Sequence, residues 1–447
     1  MLEALKKTKL RRFTLFLEQG EIIEALCYIV TRLGIRLPPP RPQPRALTSI
    51  THFLPCSDAR GRVKLVACAH SLAREGAPIS LLEILIGLSR VPEHRFDIDL
   101  IASHDGPLAE RARAAGIPVH IVQSPQEHWG GARVYEHSIA RFAQTLTALR
   151  PDIVIANSIA AFHAIDAARH AGIASLWLIR EADALVDFLS LHPRAIQRRG
   201  LACLEYPARM IFVSRSTLDR WPATHVPRVL IRTVPDRADV ARLVALWSRN
   251  DARGSLALAD DEIMVLTVGT FCTNKGQMDL LAVAPALVRE STRVRLVFVG
   301  SPAEPGGEAF MQAVARASEA VRPVIEVHAA TDDIGRFYAA ADIYVCGSRS
   351  EGYPRTILEA LAFGLPIVTT GVGGVAEALE GTRHQAFEPA GTASLTSALQ
   401  ALIDSAELRS AMSDASLQRS AQLRQQPDMI DAYVRQIDAV LAGAQPP

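Results

Sequence analysis

The feature that most constrains this chain is a rhythm of short apolar runs, rich in Val, Ile and Leu, with helical stretches between them. RVKLVACAH (62–70), DIDLIAS (97–103), IPVHIV (117–122), DIVIANS (152–158), SLWLIRE (175–181) and MIFVSRS (210–216) form one series. EIMVLTVGT (262–270), RVRLVFVG (293–300), VIEVHAA (324–330) and the run Ile343–Cys346 form a second. Runs that are apolar throughout, rather than alternating, suit strands covered on both faces, as in parallel sheets wound with helices. Gly116, ahead of Ile117 and Pro118, reads as a helix stop. The prediction is an α/β chain of two Rossmann-like, doubly wound domains in tandem. Ligands of such sheets bind outside the carboxyl ends of the strands, so a cleft between two facing domains is the expected site.

The boundaries fall where the rhythm breaks. Residues 1–60 read as a helical extension and Pro-rich linker, 61–235 as the first domain, 236–425 as the second, and 426–447 as a C-terminal helix and tail. Within the extension, Lys6, Lys7, Lys9, Arg11 and Arg12 precede an amphipathic stretch that ends before PPPRPQPR (38–45). Such a stretch docks on its own protein or a partner, the favoured reading because Glu18, Glu21 and Glu24 dilute its charge. Peripheral contact of residues 1–37 with the inner face of a membrane is the alternative.

Composition narrows the class. Of the 447 residues, 49% are hydrophobic and 21% charged, enough apolar material for large cores, and a net charge of +1 argues against a nucleic-acid footprint over the whole protein. Six cysteines without a C-x-x-C pair fit a reducing, cytoplasmic setting. The sequence shows neither a signal-peptide pattern nor an apolar run of about 18 residues, so no spanning helix is expected.

Chemistry concentrates in ADIYVCGSRSEGYPRTILEALAFGLPIVTTGVGGVA (341–376). It reads as strand, tight loop, helix, strand and loop. Pro354 suits a helix start, and Ile357, Leu358 and Leu361 give that helix a buried face. Its N-terminus, at Thr356 and Ile357, offers unbonded N–H groups and a positive dipole end to a phosphate or diphosphate. Glu359, a turn further in, is acceptor-only and suits a ribose diol, and Glu351 on the loop suits a second polyol. A sugar at each end of a diphosphate describes a nucleotide sugar; the plain alternative is a solvated glutamate on an ordinary helix.

Together with VGTFCTNKGQMDLLAVAPAL and REGAPISLLEIL, this stretch resembles the retaining glycosyltransferases of family four, which have the GT-B fold, over about residues 61–440. The resemblance implies a nucleoside-diphosphate sugar as donor substrate, held mainly by the second domain. It implies a hydroxyl acceptor, glycan or lipid-linked, met by the first. Glu351 and Glu359 match the E-x7-E pattern, the first toward donor-sugar hydroxyls and the second toward the ribose, with Gly352 and Tyr353 in the same donor-binding loop. Lys275 matches the basic residue that neutralises the diphosphate, so Lys275 and Glu351 are the expected catalytic residues. No metal or other cofactor is implied; His104 and Asp105 form only a weak pair. Gly76, in a loop expected over 71–80 after the first strand, would approach the donor, though Ala77 replaces a second glycine. Asn157 stands where a His is frequent, as a sugar or acceptor contact. Thr270 stands where an Arg is frequent, which leaves Lys275 most of the charge, with Arg180 and Arg215 as possible helpers.

Two rival classes remain. GVGGVA (371–376), with Glu388 beyond it, matches the dinucleotide fingerprint of nicotinamide oxidoreductases, but that motif normally follows the first strand of its domain. The same architecture also serves sugar-nucleotide epimerases and non-catalytic nucleotide-sugar binding subunits. The favoured reading is a glycosyltransferase of surface-glycan synthesis.

Overall fold

The computed structural model describes residues 61–443, apart from 93–94, 126–131, 191, 236, 291–292 and 304. The expected extension at 1–60, with its docking or membrane role, lies outside the described residues. The chain forms two compact units, one running to Ile231 and resuming at Asp428, the other spanning Arg232–Pro427.

The first unit holds strands β1 (Val63–Ala69), β2 (Phe96–Ala102), β3 (Val119–Ile121), β4 (Ile153–Asn157), β5 (Ala174–Ile179), β6 (Arg209–Phe212) and β7 (Arg228–Leu230). They pair in parallel in the order β3-β2-β1-β4-β5-β6-β7. The unbroken apolar runs have a direct explanation in β1: Leu65, Ala67 and Ala69 enter one core, while Val66 and Cys68 enter the core on the opposite face. Strand β7 was not expected. Its three residues sit in a stretch that reads as an exit from the domain, too short and too close to Pro227 and Pro235 to carry a strand signal of its own.

The helix Met429–Gly443 belongs to this first unit. Tyr433, Ile437 and Val440, spaced for one helical face, join the core beneath β1 and β2. Arg95 pairs with Asp438, and a Cβ on Gly87 would lie 2.3 Å from Ile430 Cδ1, so the isoleucine side chain fills the space the glycine leaves at the crossing. Periodicity announces this closing helix but does not say which core it covers.

The second unit holds β8 (Ile263–Val268), β9 (Val294–Val299), β10 (Ile325–His328), β11 (Ile343–Cys346), β12 (Ile367–Thr369) and β13 (Gln385–Ala386), all parallel, in the order β10-β9-β8-β11-β12-β13. In each sheet the first strand in the chain lies beside the fourth, and there the direction of winding reverses: β1 beside β4, β8 beside β11. Such switch points open a crevice at the carboxyl ends of the strands.

Candidate functional site

In the second unit the two loops at the switch point are laced together. After β8 the chain makes a single turn of 3-10 helix, Thr273–Lys275, and reverses at Gly276 with φ +69°. A Cβ there would lie 2.0 Å from the Gly347 carbonyl, so both conformation and close approach demand glycine. Arg349 N–H donates to the Asn274 carbonyl at 2.7 Å, and Asn274 Nδ2 donates to Ser350 O at 3.0 Å. Arg349 also grips Asp279 through both carboxylate oxygens at 3.1 Å.

This lacing brings Lys275 Nζ to 2.6 Å from Glu351 Oε1, and Ser348 Oγ donates to the same oxygen at 2.6 Å. Burial works against the Lys275 ammonium, but the Glu351 carboxylate outweighs it and leaves the lysine pKa above its ordinary value. The side chain of Glu351 is 10% exposed and that of Lys275 32%, so the lysine is the member open to a ligand. The Glu351 carbonyl accepts from Gly374 N–H at 3.1 Å, which ties the glycine loop after β12 to the same edge.

Two turns of helix follow, Arg355–Ala362, with Pro354 as N-cap and no side-chain cap. The helix starts one residue later than a Pro at its first position would give. Thr356 and Ile357 are its second and third residues, whose N–H groups have no intrahelical acceptor. The Ile357 side chain is fully buried, which leaves its backbone N–H as the group it can offer. Glu359 is buried with both oxygens engaged: Arg355 Nε donates to Oε1 at 2.7 Å and the Tyr338 hydroxyl to Oε2 at 2.9 Å. Burial, and then the Glu359 charge, push the Tyr338 hydroxyl well above the usual tyrosine range, which keeps it a donor. Each oxygen retains a second lone-pair direction for a diol. Gly352 and Tyr353 are buried beside these groups. Sequence reasoning missed Ser348, Tyr338 and Arg355. Only Arg355 left a signal, four residues before Glu359 on one helix.

In the first unit the outcome differs from expectation in one respect. Gly76 is not within a loop: it is the first residue of the helix Gly76–Ser89, and a Cβ on it would meet nothing within 4 Å. The expected loop through Ser80 shrinks because Pro78, at the third helical position, starts the helix rather than breaking it. The neighbouring Ala77 carbonyl accepts from Asn157 Nδ2 at 3.1 Å, and Asn157 Oδ1 accepts from Arg180 Nε at 2.9 Å. Asn157 is fully buried at the end of β4 and ties helix start to sheet, whereas Arg215 is exposed.

The dinucleotide motif has the wrong surroundings for its rival reading. It follows β12, the fifth strand of its sheet, and opens only the five-residue helix Gly374–Ala378; Glu388 lies past the two-residue β13.

Residues 262–405 match the family model "Glycosyl transferases group 1". The chain is 28% identical over 226 residues to spore coat protein SA of Bacillus subtilis, covering 45% of this chain and 58% of the relative. It is 28% identical over 222 residues to the D-inositol 3-phosphate glycosyltransferase of Geodermatophilus obscurus, covering 47% and 49%. The chain thus spans about half the length of these curated relatives. Among solved structures, Anabaena Alr3699/HepE in complex with UDP-glucose superposes with a TM-score of 0.65 at 18% identity, over 86% of this chain and all of that one. Two parallel, Rossmann-like sheets with this neighbour define the GT-B fold. Among the described residues no helix is long and apolar enough to cross a membrane.

Proposed function

We propose that this protein is a glycosyltransferase that moves a sugar from a nucleoside-diphosphate donor to a hydroxyl acceptor with retention of configuration, for a surface glycan. The second unit holds the donor and the first meets the acceptor. One observation carries the reading: Lys275 and Glu351 are joined at 2.6 Å on the two loops that flank the switch point of the second sheet, beside an uncapped helix N-terminus. The family match over this unit, and the UDP-glucose bound by the Anabaena neighbour, support the same ligand class.

In this reading the Thr356 and Ile357 amides and Lys275 meet the diphosphate. As the glycosidic bond to phosphate lengthens, negative charge builds on the leaving oxygens and the ammonium stabilises it. Glu351, fixed by Ser348, accepts from donor-sugar hydroxyls, and Glu359 accepts from the ribose. Gly352 and Tyr353 complete the donor loop. Retention follows from attack on the face the phosphate leaves, with a phosphate oxygen taking the acceptor proton. Neither step requires a resident cofactor.

The test is turnover of a panel of nucleoside-diphosphate sugars by the whole protein, read by mass spectrometry as released nucleoside diphosphate. Turnover that is lost in Lys275→Ala supports the reading. Interconversion of two sugars would make the protein an epimerase, and binding without turnover a binding subunit.

A further inference from the structure

The first sheet also carries a linked polar cluster at its switch point, and the donor chemistry above does not use it. His70 follows β1, Ser158 follows β4, and Glu75 is the N-cap of the helix Gly76–Ser89. His70 Nε2 lies 3.2 Å from Glu75 Oε2, and Ser158 Oγ lies 3.4 Å from His70 Nδ1. The His70 hydrogen bond holds the Glu75 carboxyl below the usual range. An ionised carboxylate only accepts, so the Nε2 proton points to Glu75, and the serine hydroxyl, able to donate or accept, partners Nδ1.

Ser158 has φ +82°, a conformation that costs a non-glycine residue roughly 1–3 kcal/mol and gathers at functional sites. Its surroundings enforce it. Ser158 N–H donates to Leu178 O at 2.8 Å, its carbonyl accepts from Trp177 Nε1 at 2.9 Å, and Ile159 N–H donates to Glu181 Oε2 at 3.0 Å. A serine, histidine and glutamate in line invite comparison with a hydrolase triad, but the geometry refuses it. Ser158 is fully buried, and the next N–H, which would serve an oxyanion, is taken by Glu181. The open members are His70, with 28% of its side chain exposed, and Glu75, with 42%.

We propose that Glu75 anchors the acceptor, accepting a hydrogen bond from a hydroxyl of a polyol, and that His70, oriented by Ser158, is the positioning residue that aims it. A helix-leading glutamate ordinarily turns toward its own N–H groups; Glu75 makes no such cap. It is directed instead along the switch-point edge, next to the open space at Gly76. The inference rests on the transferase reading and assigns its acceptor a class: a molecule with free, unesterified hydroxyls, since an acidic group would be repelled by Glu75.

The experiment uses the full chain and the nucleotide sugar that the wild type turns over. Glycerol, methyl α-D-glucopyranoside and methyl α-D-mannopyranoside serve as polyol probes, and the ratio of transfer to donor hydrolysis is measured. Glu75→Gln and His70→Ala should each lower that ratio at least tenfold, and His70→Gln, which keeps an N–H donor, should recover part of it. A structural role would lower transfer and hydrolysis together and leave the ratio unchanged, which overturns the inference. A wild type that hydrolyses donor yet glycosylates none of the polyols overturns it as well, with the transferase reading's donor half intact. No donor turnover by the wild type removes both.

Discussion

Lys275 and Glu351 lie 76 positions apart in the chain and meet at 2.6 Å because two glycines, Gly276 and Gly347, let their loops touch backbone to backbone. A cation held by a nearly buried carboxylate is fixed in place before any ligand arrives. That preorganisation is what stabilises charge developing on a leaving group.

Lys275→Ala should therefore depress turnover more than donor binding. Removing one positioned donor to a transition-state oxyanion costs about 10²–10³ in kcat. Steady-state kinetics beside calorimetric binding of the nucleoside diphosphate separate the two effects; equal losses in both would make Lys275 a plain binding residue.

Glu359→Ala should weaken binding instead. A hydrogen bond to a charged group contributes about 1.5–3 kcal/mol, so the donor dissociation constant should rise roughly 10- to 100-fold. The variant also strips Tyr338 and Arg355 of their shared acceptor. Glu359→Gln, which retains an acceptor oxygen, should fall between the two, and titration of nucleoside diphosphate into all three proteins checks the order.

Gly276→Ala tests the lacing itself. The added methyl meets the Gly347 carbonyl at 2.0 Å in a backbone conformation that side chains resist, so the two loops must part. Turnover should drop about as far as in Lys275→Ala, while thermal stability falls by only about 1–3 kcal/mol, the usual cost of overpacking.

Stability should fall in mild acid. Burial holds His163 and His192 down at about 4, so between the ordinary value near 6.5 and 4 the unfolded chain binds protons that the folded chain refuses. The folded-state pKa is depressed, so for these bases stability is complete above about 6.5, lost as pH falls toward 4, and changes no further below it. For the fully buried His163 this is on the order of 3 kcal/mol over that window. Urea midpoints at pH 7.5 and 5 should differ less in His163→Gln than in the wild type. An equal difference would show that His163 does not carry this term.

Much of this was legible in the sequence, for identifiable reasons. Strands buried on both faces leave unbroken apolar runs, so β1, β4, β8 and β11 could be read directly, and with them the two sheets. Glu351 and Glu359 were nameable because two carboxylates bracket a strand-loop-helix junction, and Lys275 through the resemblance of its loop to the glycosyltransferase family. The polar cluster at the switch point of the first sheet was not legible. His70, Glu75 and Ser158 come together only through the pairing of β1 with β4, and the φ of Ser158 has no sequence signature. Gly76 reads as a loop residue, whereas it opens the helix in which Pro78 takes the third position.

The central claim is that the switch-point edge of the second sheet drives departure of a nucleoside diphosphate. Mass-spectrometric turnover of a nucleoside-diphosphate sugar panel, run side by side on wild type, Lys275→Ala and Glu359→Ala, tests it most directly. The account predicts nucleoside diphosphate released from at least one donor by the wild type, with kcat lost in the first variant and donor affinity lost in the second. Wild-type kinetics in both variants would contradict it.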